Sequence, residues 1–233
     1  MGATKKILTI VTNVSEYEKV GYRTGLWLGE LTHFYDVAEE AGYAMDIASP
    51  SGGTVPIDAE SLTHKVLDDL GTGERYKDRA FMDRLKNTMK VEDAKLEDYD
   101  AIYMTGGHGV SFDFPRCRAL AGLTARFYES RRVVAAVCHG PAGLLEVKTS
   151  DGEYLIKGKK LTAFSWKEEE LADRAEAVPF SLEDELKKRG ALYEKASLPF
   201  VEHVVKDGLL ITGQNPGSAR PVAEAVVKCL TTG

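Results

Sequence analysis

Short apolar, β-branched runs alternate with helix-patterned stretches along almost the whole chain, and few architectures accept such an order. KILTIV (Lys6–Val11), Tyr43–Ser49, Tyr99–Gly109 and the RVVAAV run ending at Val137 read as strands, short and rich in residues that favour a buried pleat. Between them, Gly25–Gly42, Tyr76–Met89 and Pro115–Ser130 read as helices. The first closes on a glycine C-cap, and the third opens on a proline at its first helical position. Further on, KKLTAF (Lys159–Phe164) reads as a strand and Ser181–Gly190 as a helix capped by Ser181. His203–Gly213 reads as a hairpin turning on Asp207-Gly208, and a last helix runs from near Pro216 to about Leu230. Such alternation predicts an α/β fold: a doubly wound, mostly parallel sheet with helices on both faces. No repeat, low-complexity tract or linker divides residues 1–233, so one domain is expected, with a small insertion near residues 50–90 that carries a short helical piece of its own.

Charge narrows the partners. The formal net charge is −6, with no basic patch, which excludes nucleic acid and an anionic membrane surface as expected partners. No run approaches the ~20 apolar residues that span a bilayer, and the start of the chain lacks a signal-peptide pattern. Three cysteines, Cys117, Cys138 and Cys229, make no disulfide framework and suit a reducing cytoplasm.

Chemistry concentrates where VVAAV runs into Cys138-His139-Gly140-Pro141 and a helix-like stretch. Strand, cysteine, helix is the layout of a nucleophile elbow, whose small neighbours, here Ala136 and Gly140, let the backbone turn sharply. A cysteine at a helix N-terminus is favoured as thiolate, and the next N–H, that of His139, can point into an oxyanion hole. A free cysteine is also a common inert core residue, but the strand end and the His-Gly-Pro after it favour the nucleophile. His139 reads either as a capping or packing histidine or, on a distorted turn, as the cysteine's partner, since adjacent residues on a regular helix do not face each other.

Three further features bear on the site. TGGHG (Thr105–Gly109) also follows a strand and lacks both the dinucleotide and the phosphate-loop spacing. It offers bare backbone N–H groups, so Gly107 reads either as a second oxyanion donor or as a turn glycine needing positive φ. In the first helix Trp27, Leu31, Phe34 and Ala38 form an apolar stripe, and Glu30 lies on or beside it. Glu30 is either a buried, protonated acid able to serve a thiolate or an edge residue reaching water. In FSWKEEEL, Ser165 and Glu168 fit a capping box, leaving Glu169 or Glu170 free to orient a histidine. His33 and His64 have no partners at metal-ligand spacing, so no metal is expected.

TGGHGVSFDFP (Thr105–Pro115) and AAVCHGPAGLL (Ala135–Leu145) together resemble the signatures of the ThiJ/PfpI superfamily. Gly21–Gly53 and LLITGQNPGSA (Leu209–Ala219) are similar to its heat-shock chaperone and glutathione-independent glyoxalase III branch, so the likeness spans nearly the whole chain. The resemblance implies a flavodoxin-like, class I glutamine-amidotransferase-like fold. It implies Cys138 as nucleophile, His139 as its partner, Glu169, five residues after Phe164, as the third member, and Glu30 as the acid touching the sulfur. Gly107 and His139 correspond to oxyanion donors, with His108 beside them as a substrate-binding residue. True glutamine amidotransferases carry a glycine two before the cysteine and a late His-x-Glu. Here position 136 is alanine and His203 is followed by two valines, so glutamine hydrolysis is disfavoured.

The resemblance thus implies a cofactor-independent glyoxalase III (D-lactate dehydratase) that turns methylglyoxal and related 2-oxoaldehydes into 2-hydroxy acids. Cys138 would form a hemithioacetal, and His139 or Glu30 would move the proton. Alternatives from the same resemblance are a stress-induced holding chaperone that binds unfolded client proteins, a deglycase-type repair protein, and a cysteine peptidase or amidase. The insertion is expected to crowd the elbow into a small pocket. Homodimerisation is implied, and Cys138, as an exposed and activated thiol, is expected to oxidise before Cys117 and Cys229.

Overall fold

Both faces of the central strands are apolar, and the two-residue pleat sorts their side chains into two layers. The computed structural model describes residues 5–232. Its strands are β1 (Lys6–Ile10), β2 (Ala44–Ser49), β3 (Met89–Lys90), β4 (Ala101–Met104), β5 (Val133–Val137), β6 (Lys160–Leu161), β7 (Leu192–Tyr193), β8 (Val204–Asp207) and β9 (Leu210–Gly213). Its helices are α1 (Leu28–Glu40), α2 (His64–Asp69), α3 (Gly73–Lys77), α4 (Arg79–Asp83), α5 (Val110–Asp113), α6 (Arg118–Glu129), α7 (Trp166–Leu171), α8 (Leu182–Lys188) and α9 (Ala219–Thr232).

Seven strands form one sheet in the order β3-β2-β1-β4-β5-β9-β8, parallel except where β8 meets β9. Leu8, Ile10, Ile102, Met104, Val134 and Ala136 face one way and pack with Leu120, Leu123 and Phe127 of α6. Ile7, Ala101, Tyr103, Val133, Ala135 and Val137 face the other way, with Phe34 of α1 and Val222 and Val226 of α9. The expected doubly wound sheet with helices on both faces is therefore the one that forms. The chain reverses direction of growth between β1 and β4, and ligands bind beyond the carboxyl ends of strands at such a switch point. Met104 pairs with Ala136, and Val137 with Gly213, so β4, β5 and β9 end level and release their loops at one edge.

Several elements differ from the sequence reading, each for a local reason. The helix expected over Tyr76–Met89 is split into α3 and α4, because the Asp78 side chain accepts from the N–H groups of Ala80 and Phe81 and starts a new helix. Pro115 lies in a 3₁₀ turn, Phe114–Arg116, and α6 begins only after Cys117, whose sulfur caps Leu120 N–H. Of KKLTAF only Lys160–Leu161 is strand, and it pairs with β7 in a separate two-stranded sheet. The last helix begins at Ala219, after a 3₁₀ turn at Pro216–Ser218. The hairpin on Asp207-Gly208 forms as expected, with Gly208 at φ 61°. No helix of the described residues is long and apolar enough to cross a membrane.

Candidate active site

The backbone at the end of β5 sets the site. Cys138 has φ 58°, a left-handed conformation that costs a non-glycine residue about 1–3 kcal/mol and that persists only where surroundings enforce it. They do so here: Cys138 N–H donates to Gly213 O at 2.9 Å, and Phe164 N–H donates to Cys138 O at 2.8 Å. Gly140 makes the turn possible, because a Cβ there would stand 2.4 Å from Met104 O. The chain then enters a 3₁₀ turn, Gly140–Leu144, with His139 as its N-cap, rather than the expected α-helix. The elbow also corrects the reading of Cys138 as exposed: it is 3% accessible and the most buried of the three cysteines.

The twist of this turn brings the His139 ring against the sulfur. Its Nδ1 lies 3.3 Å from Cys138 Sγ, a contact that adjacent residues on a regular helix could not make. Its Nε2 lies 2.7 Å from Glu169 Oε2. The other oxygen of Glu169, Oε1, lies 2.7 Å from His108 Nε2, so one carboxylate holds two imidazoles. Burial opposes a charge on Glu169, but charge and hydrogen bonds from His139 and His108 outweigh it and hold the carboxyl far below its usual range. A carboxylate only accepts, so each Nε2 carries a proton. Burial also keeps the His139 pKa below the ordinary 6.5, against the pull of Glu169, so the ring is neutral and can accept the thiol proton.

The three glutamates of FSWKEEEL divide as their spacing allows. Phe164 N–H ties this segment to the elbow, and Ser165 starts α7 with a complete capping box to Glu168. Glu168 also accepts from Gln214 Nε2, Asn215 Nδ2 and Phe200 N–H, which fastens the loop before β8 to the loop after β9. Glu169 points into the site, and Glu170 is paired with Lys167 at 3.1 Å on the outside.

Glu30 is fully buried. Its Oε2 accepts from Gly106 N–H at 2.5 Å, and Oε1 has no partner among the described protein nitrogens and oxygens. Burial raises its pKa to about 8, against hydrogen bonds from Cys138 and Gly106. At neutral pH it is therefore an acid with a proton to donate toward sulfur. Burial pushes the Cys138 thiol well up, a charged Glu30 pushes it further, and Gly107 N–H pulls it back. Gly107 has φ 93°, and a Cβ there would lie 2.2 Å from Gly25 O, so the turn needs glycine and its N–H faces the sulfur.

Gly107, His108, Cys138 and His139 border a cavity of about 190 Å³ that Trp27, Glu60, Phe164 and Phe200 also line. Glu60 comes from the 50–90 segment, as the expected crowding requires. The sequence reading missed Glu60, Phe200 and Pro216, which reach the cavity from loops distant in sequence and carry no local signal. Ligand atoms of His108, His139 and Glu169 lie within 4.8 Å of one another, but Nε2 of each ring and both carboxylate oxygens are already bonded within the cluster.

Known proteins share this arrangement's fold and sequence. Glyoxalase 3 of Candida albicans is 34% identical, over 95% of this chain and 97% of its own. A glutathione-independent glyoxalase of Saccharomyces cerevisiae is 32% identical, over 98% and 99%. The crystal structure of the Candida albicans glyoxalase III superposes with a TM-score of 0.84 at 32% identity, covering 96% of each chain. The Rapid Encystment Protein 24 KDa of Francisella tularensis superposes at 0.92 with 36% identity, over 97% and 99%. The DJ-1/PfpI family profile matches residues 25–229, and the chain belongs to the DJ-1/PfpI family.

Proposed function

We propose that this protein is a glutathione-independent glyoxalase that converts methylglyoxal and water to lactate. The observation that carries the reading is the continuous relay Cys138 Sγ–His139–Glu169, at 3.3 and 2.7 Å, opening into a cavity sized for a small aldehyde. The relatives that are named glyoxalases and match over nearly their whole length support it.

Cys138 gives its proton to His139 Nδ1 while sulfur bonds to the aldehyde carbon, C1. The carbonyl oxygen takes the displaced electron pair beside the Gly107 and His139 N–H groups, neither of which is spent on a backbone carbonyl. Protonation gives the hemithioacetal. A base then takes the C1 proton, the electron pair forms an enediol, and a proton returns at C2. The product is a thioester of the 2-hydroxy acid. Water cleaves it and restores the thiol. The substrate supplies both oxidation and reduction, C1 rising to the acid level as C2 falls to an alcohol. Lactate should form from methylglyoxal without glutathione or added metal, and Cys138→Ala should lose at least ~10³ of that rate, as losses of nucleophiles do. Near-normal turnover in the variant would overturn the reading.

One observation favours a second role as a holding chaperone. Leu198, Phe200 and Val201 stand 65%, 51% and 47% exposed in one loop, from which Phe200 also lines the cavity. Protection of a heated client protein by Cys138→Ala, with no hydroxy acid from the wild type, would select that role.

A further inference from the structure

The proton transfer between C1 and C2 needs a base that faces the substrate, and the two groups nearest the sulfur are otherwise engaged. His139 holds Glu169 through Nε2 and faces the sulfur through Nδ1, the position from which it takes and returns the thiol proton. Glu30 is sealed from the cavity, with Oε2 held by Gly106 N–H. His108 differs. Its Nε2 is bonded to Glu169, but its Nδ1 has no partner among the described residues and is not walled off from solvent as Glu30 Oε1 is. The residue lines the cavity together with Cys138.

Its setting is as constrained as that of the nucleophile. The His108 ring sits 4.3 Å from that of His139 and 5.5 Å from that of Tyr17. The glycines on either side cannot be enlarged: a Cβ on Gly107 would meet Gly25 O, and one on Gly109 would stand 2.8 Å from Val14 O. A histidine whose Nε2–H is held by a carboxylate presents a basic Nδ1, the arrangement a general base requires.

We infer that His108 is the catalytic base of the isomerisation: its Nδ1 takes the C1 proton of the Cys138 hemithioacetal and returns it at C2. This rests on the glyoxalase reading. Glu169 then serves two imidazoles with different tasks. His139 activates the thiol, and His108 works on the carbon skeleton. The electron pair left by the C1 proton becomes the C1–C2 double bond, and the ketone oxygen accepts the displaced pair and a proton. As the enediol collapses, the C1 hydroxyl releases one proton in exchange, His108 returns the C1 proton to C2, and the thioester is left.

Two substitutions separate a base from a positioning residue. In His108→Gln the amide nitrogen takes the place of Nε2 and keeps the bond to Glu169, but nothing replaces Nδ1. In His108→Asn the amide reaches only the place of Nδ1. The assay follows lactate from methylglyoxal, alkylation of Cys138 by iodoacetamide, and the hemithioacetal adduct, read by native mass spectrometry of the intact chain. In His108→Gln the alkylation rate should stay that of the wild type and the adduct should accumulate. Lactate formation should fall by at least ~100-fold, the usual contribution of a general base. Rescue of turnover by His108→Gln but not by His108→Asn would overturn the proposal, because holding Glu169 would then suffice. Loss of alkylation together with turnover in both variants would also overturn it. No hydroxy acid from the wild type would sink the glyoxalase reading and this proposal with it, whereas undiminished acid from His108→Gln would sink the proposal alone.

Discussion

Replacing Glu30 with glutamine should change how stability depends on pH. The carboxyl is fully buried, and its pKa stands at about 8 in the folded chain against an ordinary 4.5. Between those values the folded chain holds a proton that the unfolded chain releases, so folding becomes less favourable as pH rises. The cost is absent below pH 4.5, grows by about 1.4 kcal/mol per pH unit, and is complete above about 8. Across the window it reaches on the order of 5 kcal/mol, a large share of the 5–15 kcal/mol that stabilises a typical protein. Glutamine keeps an oxygen for Gly106 N–H and a donor for the thiol but cannot ionise. Glu30→Gln should therefore match the wild type in urea unfolding at about pH 5 and exceed it by several kcal/mol at about pH 9. Asp113, raised by burial to about 6, and other groups titrate in both proteins, so only the difference between the two curves is read. Parallel curves would refute the placement of a neutral acid against the sulfur.

Two other substitutions probe the frame of the site. Gly140→Ala sets a Cβ 2.4 Å from Met104 O and 2.8 Å from Thr105 O, both backbone atoms, so the elbow must shift. About 1–3 kcal/mol of stability and most of the Cys138 alkylation rate should be lost, and wild-type alkylation kinetics would contradict this. Glu168→Ala removes the side-chain half of the capping box, takes one of the two acceptors from Asn215 Nδ2 and strands Gln214 Nε2 and Phe200 N–H. The unfolding midpoint should drop by the equivalent of at least ~3 kcal/mol, and a drop no larger than a surface substitution gives would show that those bonds are idle.

The sheet was legible because its strands obey one rule over their full length: VVAAV and AIYM are apolar on both faces, and only a covered parallel sheet accommodates that. Cys138 was legible because a strand running into Cys-His-Gly-Pro has few other uses. Glu168 was legible as a cap, since Ser165 and its third neighbour carry that signal locally. Glu30 showed itself as an acid on an apolar stripe, while its neutral state comes from burial under loops that the stripe does not encode. The contact between His139 and the sulfur depends on a backbone twist at φ 58°, which no spacing rule predicts. The pairing of His108 with Glu169 joins residues 61 positions apart, so it arises only once the sheet has brought β4 beside β5 and α7 over both. Asp78 broke an expected helix because a capping side chain outweighed a continuous helical pattern.

The central claim, that Cys138 carries the substrate through the reaction, is tested most directly by weighing the intact protein during turnover. Wild type, Cys138→Ala and a Cys117→Ser/Cys229→Ser double variant are mixed with methylglyoxal and followed by native mass spectrometry. Wild type and the double variant should each gain the mass of one methylglyoxal in a sample that also contains lactate, and Cys138→Ala should form neither the adduct nor lactate. An adduct equally abundant in Cys138→Ala, or lactate produced by that variant at the wild-type rate, would contradict the claim.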